Sequence, residues 1–578
     1  MRPASSLDTH AEISGAFGTP QPGSGAGSSG ASPSEATGCR EEAISRDVDV
    51  LVVGYGPVGA ACANLLGRHD VRTLVIDRYS EVLNQPRAIV LDDAALRILQ
   101  NAGLAEGDFE TVAIPRAEMH CPIWGRYNRI NTIGQANGHP KLVTFYQPEL
   151  ERALRARAAQ RASVSTLLGV ELIGLRQMGD GVVAELQTPG GIREVRCRYL
   201  IGADGANSSV RKLSGLDFSG KSFHEDWLIV DAAGAPTGID HIEFFCNPKR
   251  PTPHMPGPGG RERWEFRLRP GEAEQLEREP HRIEELLAPW RRPGSPLQIE
   301  RKAIYRFQAR VARKFAKGRV FLAGDSAHVT PPFVGQGLVS GLRDAANLSW
   351  KLAWVLEQRA DPSILKSYST ERRPHARAMI GLARRMGALV MPGGWLHALL
   401  LHGAVRGVVS AFLGGGVDVE MIKPPNHFRR GLFASRSRAS RRLPGDLLPQ
   451  VWLRGEGGEM RLSDEVLGAE LSVLGFGVDP AAGLGAHEAF LRAVGARLIQ
   501  ITHRGQALHL APVTPSWEDL SGGLFPGAAP SGWIAVVRPD RTILAAGPAS
   551  EADRLIREVA AILRTPAFHA AAPLNRRR

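Results

Sequence analysis

The sequence predicts an α/β fold: a Rossmann-like dinucleotide-binding domain, a β-sheet domain interposed within it, and a smaller C-terminal α/β domain. Three observations predict it. A strand, glycine turn and helix open the folded part at Asp47 to Arg68. A second strand and glycine turn appear far downstream, at Gly318 to Gly337. Between them, residues Ile229 to Phe245 and Trp264 to Leu268 alternate in polarity as half-buried strands do.

The first turn is the pattern Gly54-Tyr55-Gly56-Pro57-Val58-Gly59. Val50 to Val53 is a short apolar, β-branched run, and the helix after the turn is rich in Ala and Leu. Gly54 permits the tight turn, Gly56 lets a pyrophosphate approach the backbone, and Gly59 lets helix and strand pack closely. The helix start offers free N–H groups and a positive dipole end to phosphate. A second strand, Thr73 to Ile76, ends in Asp77, about 20 residues on, where an acid accepts hydrogen bonds from a ribose. Alone, this stretch fits NAD(P) or FAD equally. Arg78 follows directly, and Arg87 lies in the loop before a helical stretch ending at Gly103. Gln147 precedes Pro148, which suits a first helical turn, so its amide can cap the helix or point at a ligand.

Val182 to Leu186 and Arg193 to Cys197 read as a hairpin. Tyr199 to Arg211 repeats strand, glycine turn and helix around Asp204-Gly205. The second strong signal is Gly324-Asp325, then Pro331-Pro332, then Gly335-Gln336-Gly337 opening a helix through Leu338 and Val339 to Leu356. Three such turns are too many for one NAD. They suit a longer ligand, with Asp325 on a second sugar-like chain.

Composition bounds the remaining possibilities. A chain of 578 residues is too long for one core. Its net charge of +12 raises a nucleic-acid reading, but the arginines are spread along the chain and no nucleic-acid motif appears. The five cysteines, Cys39, Cys62, Cys121, Cys197 and Cys246, have no metal spacing, so reduced thiols, no metal and a cytoplasmic protein are expected. Residues 1–46 read as a disordered Gly/Ser/Pro-rich extension, and Pro573 to Arg578 as a frayed tail. The apolar stretch Gly393 to Gly415 is interrupted by His397, His402 and Arg406, so a buried or packed helix is expected there, and no membrane association.

On Gly54 to Gly59, Asp204-Gly205 with Arg211, and Gly324-Asp325 through Gly337, the chain resembles the group A flavoprotein aromatic hydroxylases, the p-hydroxybenzoate hydroxylase-like family. Within the family it is most similar to 3-(3-hydroxyphenyl)propionate hydroxylases. The matching stretches begin at Phe145, Trp227, Cys246, Arg263 and Glu371. The resemblance implies FAD, with the adenosine ribose on Asp77 and the pyrophosphate on the first turn. Arg87 and Gln147 would flank the cofactor, Asp325 would take the ribityl chain, and Gly335 to Val339 would lie against the flavin. The family usually has Asn or Cys where Val339 stands, so backbone N–H groups are expected to serve the flavin pyrimidine edge. Asp204-Gly205 would serve FAD and a transient NAD(P)H, without a separate nicotinamide domain.

The implied reaction is hydroxylation of a phenolic acid with NAD(P)H and O2, through a flavin C4a-hydroperoxide. Substrate candidates are Lys249 or Arg250 for a carboxylate and His120, Trp124 and His254 for the ring pocket. The alternative is a hydroxylase or Baeyer–Villiger oxygenase tailoring an aromatic natural product. The implied domains are FAD-binding segments 47–115, 147–225 and 310–390, substrate segments 116–146 and 226–309, and a thioredoxin-like domain over 440–568. That last region contains no cysteine, which excludes thiol–disulfide chemistry and favours a structural or oligomerisation role; a homodimer is compatible with it.

Overall fold

The computed structural model describes residues 47–84, 87–234, 237–279, 281–291, 297–434, 444–506 and 514–565. The expectations for residues 1–46 and for the tail lie outside these. Asp47–Val53 is central in an eight-stranded sheet. It pairs in parallel with Thr73–Asp77 on one side and with the long strand Gly191–Gly202 on the other. The downstream strand Val320–Leu322 joins Gly191–Gly202, also in parallel. Val50, Leu51 and Val52 are fully buried, as a strand covered on both faces must be. Helix Pro57–Gly67 covers one face and packs against helix Gln336–Leu356.

The interposed domain is a nine-stranded sheet. Phe218–Ala233 and Gln298–Ala312 form its long antiparallel spine. Its two faces separate by strand alternation. Leu228, Val230, Trp264 and Phe266 face outward under the short helices Glu272–Arg278 and His281–Leu287. Trp227, Met255 and Phe307 face inward, packing with Phe333 and Met379 of the nucleotide-binding part.

The C-terminal region carries a seven-stranded mixed sheet and the closing helix Ala552–Leu563. The expected strands near Leu471, Leu498, Trp533 and Thr542 are present as Ser472–Phe476, Arg497–Thr502, Trp533–Val537 and Ile543–Pro548. Buried ion pairs join this sheet to the rest. Arg538 donates to Glu371 at 2.8 and 2.9 Å, and Lys351 donates to the same carboxylate at 2.7 Å. Arg97 grips Asp464 at 2.6 and 2.8 Å.

The segment expected as a buried or packed helix is packed along one narrow face and is not buried. Helix Trp395–Phe412 forms, but only Ala398, His402 and Val409 on it are buried. That narrow face packs on strand Gly125–Asn131 through a His402–Tyr127 ring stack at 4.2 Å. Leu396, Leu400, Val408 and Phe412 stay exposed. The helix crosses a single sheet edge, so one stripe is covered and its apolar remainder is not. Among the described residues it is the one helix long and apolar enough, by length and composition, to cross a membrane.

Burial opposes the charge of Glu371, but Arg538 and Lys351 hold its carboxyl well below the usual range. Replacing Glu371 with Ala leaves buried Lys351 without its carboxylate and Arg538 with Asp540 alone, which is expected to cost about 3–5 kcal/mol. Denaturant unfolding checks it; an unchanged midpoint would remove this network from the account of how the C-terminal region is held.

Candidate cofactor and substrate site

The two glycine turns, distant in sequence, meet at the carboxyl ends of the parallel strands. Ala203 N–H donates to Val53 O at 2.7 Å, and Ala323 N–H to Gly202 O at 2.9 Å. Gly54 has φ +100°, and a Cβ there would lie 2.5 Å from Ala203 O. A Cβ on Gly59 would lie 1.9 Å from Gly54 O. These two glycines let the backbone of the turn pack closely on itself and on Ala203. Gly56 is different: a Cβ on it would meet nothing within 4 Å. The open space beside Gly56 lies at the start of helix Pro57–Gly67, which Pro57 and Val58 begin and where the first N–H groups have no intrahelical partner.

Asp77 accepts from Tyr55 N–H at 2.6 Å and from Tyr79 N–H at 2.9 Å, so its carboxylate is fixed against the turn with lone pairs to spare. Arg78 is exposed and lies over the Tyr79 ring. Gln147 turns its carbonyl oxygen to the N–H groups of Arg87 and Ala88, at 2.9 and 2.8 Å. It therefore shapes the Arg87 loop and leaves its NH2 group to donate elsewhere. Asp204 spends its carboxylate inside its own turn, on the Ser208 hydroxyl at 2.5 Å and Val210 N–H at 3.1 Å. Burial pushes its carboxyl up, against those hydrogen bonds.

Asp325 is part-buried, and its carboxylate has no hydrogen bond among the described residues. Burial pushes its carboxyl up, opposed by His328 and by the Arg87 guanidinium. Arg87 is thereby placed within electrostatic reach of the second turn. Past Pro332, Gly335 has φ +62° and reaches within 3.0 Å of Val90 Cβ for an added Cβ. Gln336 donates to Asp92 at 3.1 Å. Gly337 has open space beside it, and Leu338 is half-buried. Val339 is fully buried in the core. Its side chain points away from the open side, so what it presents there is backbone at the helix start. A cradle open at Gly56 and Gly337, helix N–H groups at both turns and an orphan carboxylate between them fit a long dinucleotide.

The substrate candidates are placed less favourably, and several are corrected. His254 is fully buried on the outward face, stacked on Trp264 at 4.8 Å and hydrogen-bonded to Glu262 at 2.8 Å. His120 stacks on Phe245, and Phe245 packs edge-on to Trp290 of the outward cluster. Both histidines fall on the face away from the turns because alternate strand residues point to opposite sides. Arg250 is already neutralised by Glu272, at 2.6 and 3.0 Å. Lys249 is exposed. Trp124 donates to Leu399 O at 3.0 Å and packs on the apolar helix.

The inward face supplies groups that sequence reasoning missed. Trp227, Phe307 and Phe333 form a buried aromatic wall, with centroids 5.1, 5.7 and 5.8 Å apart. Phe333 belongs to the segment just before Gly335, so this wall adjoins the second glycine loop. Beside it, Asp231 binds Arg263 at 2.6 and 3.1 Å and Arg301 at 3.0 Å. Arg263 also donates to Arg87 O at 2.9 Å, tying the sheet to the nucleotide side. The alternation of 227–233 carried the signal for this face; which face looked inward was not readable from it.

Residues 47–383 match the FAD binding domain family, and residues 445–562 match the HcaD C-terminal domain. The chain is 34% identical to a 3-(3-hydroxy-phenyl)propionate/3-hydroxycinnamic acid hydroxylase of Klebsiella pneumoniae, over 87% of this chain and 93% of the relative. It is 32% identical to an Escherichia coli protein of the same name, over 90% of this chain and 96% of the relative. Among solved structures it is similar to the flavin-dependent monooxygenase PieE in complex with FAD and substrate. There the TM-score is 0.76 at 22% identity, covering 90% of this chain and 99% of that one.

Two predictions follow from this geometry. Gly56→Val is expected to fold and to lose FAD, whereas Gly59→Val is expected not to fold, because only the second meets backbone. Circular dichroism and flavin absorbance separate the two, and a Gly56→Val protein that stays yellow would contradict the placement. The second concerns Glu265, which shares the inward face with Arg263. Burial pushes its carboxyl from 4.5 up to about 7, opposed by Arg263 and reinforced by Asp231. The native state then holds a proton that the unfolded state releases, so this group's contribution is full below pH 4.5 and is lost as pH rises through about 7. Glu265→Gln is expected to flatten the decline in stability over that window, measured by denaturation at several pH values.

Proposed function

This chain belongs to the FAD-dependent aromatic hydroxylases built on the FAD binding domain, and from that premise we propose that it hydroxylates a phenolic acid such as 3-(3-hydroxyphenyl)propionate, using NAD(P)H and O2. The observation that carries the proposal is the aromatic wall of Trp227, Phe307 and Phe333 set against the glycine loop at Gly335. Full-length kinship to hydroxylases of that substrate class supports it.

Bound FAD supplies the oxygen-transfer chemistry, reduced by NAD(P)H and reacting with O2. In our reading the chain's own residues do the rest. Gly54, Gly56 and Gly59 with Pro57 and Val58 form the pyrophosphate cradle, and Asp77 takes the adenosine ribose. Arg87 and the Gln147 amide flank the cofactor, and Asp325 accepts from the ribityl hydroxyls. The N–H groups of Gly337, Leu338 and Val339 face the flavin. The aromatic wall orients the phenol ring and excludes water from the place of oxygen transfer. The free, buried thiols of Cys62, Cys121, Cys197 and Cys246 support a reducing compartment, the cytoplasm.

Purified enzyme is expected to oxidise NAD(P)H faster when 3-(3-hydroxyphenyl)propionate is added, and to place an atom from labelled O2 in the product. Phe333→Ala is expected to keep FAD but to release more of the reducing equivalents as hydrogen peroxide, because the ring wall is opened. If the acid stimulates oxidation and yields peroxide alone in the unaltered enzyme, the substrate class is wrong.

A further inference from the structure

A cavity of about 110 Å³, partly open to solvent, lies where the nucleotide-binding part meets the C-terminal sheet. It is not the cofactor site. It adjoins Leu65 and Arg68, at the far end of helix Pro57–Gly67, about 16 Å along that helix from the pyrophosphate turn. It also adjoins helix Gln336–Leu356 from Arg343 to Trp350, about 10 to 20 Å along that helix from its start.

Its lining joins apolar surface, from Leu65, Ile98 and Trp350, to an excess of cationic groups. One carboxylate, Asp464, serves two of the guanidiniums, Arg97 at 2.6 Å and Arg541 at 3.2 Å. Among the described residues, Arg68 has only Asn101 as a hydrogen-bond partner, at 2.9 and 3.3 Å. Burial pushes the Arg68 guanidinium down to about 10, with Arg541 and Arg161 acting the same way. Arg541 is buried, and its Nη1 has no hydrogen-bond partner among the described residues. Its Nη2 is fully used, on Asn101, Asp464 O and Gly468 O. A buried guanidinium nitrogen left without an acceptor is costly, unless an acceptor arrives from outside the chain.

We propose that this cavity is a binding site for a small organic carboxylate, with the carboxylate on Arg541 Nη1 and Arg68 and the carbon chain against Leu65, Ile98 and Trp350. The size fits: a cavity of about 150 Å³ holds benzene, so this one holds an acid of about three carbons. A ligand here touches both parts of the molecule, so its binding stabilises their junction by mass action.

Sodium propionate tests it on the full-length, FAD-loaded enzyme, with sodium chloride at equal ionic strength as the control. Propionate is expected to bind in equilibrium dialysis and to raise the melting temperature above the chloride control. The flavin absorption should not change, since the site is remote from the flavin. R68Q is expected to weaken binding about tenfold, and R541Q to abolish it. Should R541Q fail to fold, R68Q decides, because Arg68 holds only one neighbour. Stabilisation matched by chloride would mean an adventitious ion only. That result, a shifted flavin spectrum, or unchanged affinity in R68Q would each overturn the proposal.

Discussion

The architecture depends on one carboxylate. Asp344, fully buried on helix Gln336–Leu356, accepts Gly324 N–H at 3.0 Å, His328 at 2.7 Å and Arg372 at 2.8 Å. Burial opposes its charge, but His328 and Arg372 hold its carboxyl below the usual range. Through it the second glycine turn is fastened to the helix that the flavin loop begins. Gly341 on the same helix allows the close approach, since a Cβ there would meet Val58 at 2.6 Å and Gly324 Cα at 3.0 Å. Val58 belongs to the first turn. One ion cluster and one small residue therefore bring both cofactor-binding turns to one place, and a chain of two turns becomes one long groove.

The interposed sheet is useful because its faces differ. Outward, Trp264 and its neighbours are closed by short helices. Inward, aromatic residues pack with the nucleotide-binding part, and Arg263 reaches the backbone of Arg87. The cofactor side and the substrate side thus share a contact. Arg263 is thus tied to the loop whose guanidinium, Arg87, acts electrostatically on Asp325.

Much of this was legible because it rests on local chemistry. Glycines with a positive φ, a strand ending in Asp77 and prolines before Gly335 are each short patterns with a mechanism. Strands Trp452–Gly455 and Ser516–Asp519 escaped notice, being short and mixed with charged residues, so their pairing is decided by neighbours far along the chain. The substrate residues were misplaced for a related reason. Periodicity shows that His254 and Met255 lie on opposite faces, but it does not say which face meets the flavin; only the packing of distant segments does. Arg250 looked available because its partner, Glu272, sits beyond a proline-rich turn and another strand. Asp344 could have been suspected as an acid in a helix rich in Leu, Ala and Trp, where a buried charge is tolerated only with a partner.

The C-terminal sheet carries no cysteine, and its relation to the catalytic part is electrostatic. Glu371 and Asp464 each gather two cations, one of them from across the junction, on groups that are almost wholly buried. Such pairs add little over an apolar contact when intact, yet their loss is severe, so they act to select one docked arrangement rather than to tighten it. Helix Gln336–Leu356 makes both contacts relevant to the chemistry: Asp344 holds the glycine turn from this helix, and Lys351, two turns further along, holds Glu371. The C-terminal region therefore bears, through Arg538 and Glu371, on the same helix that fastens the second glycine turn.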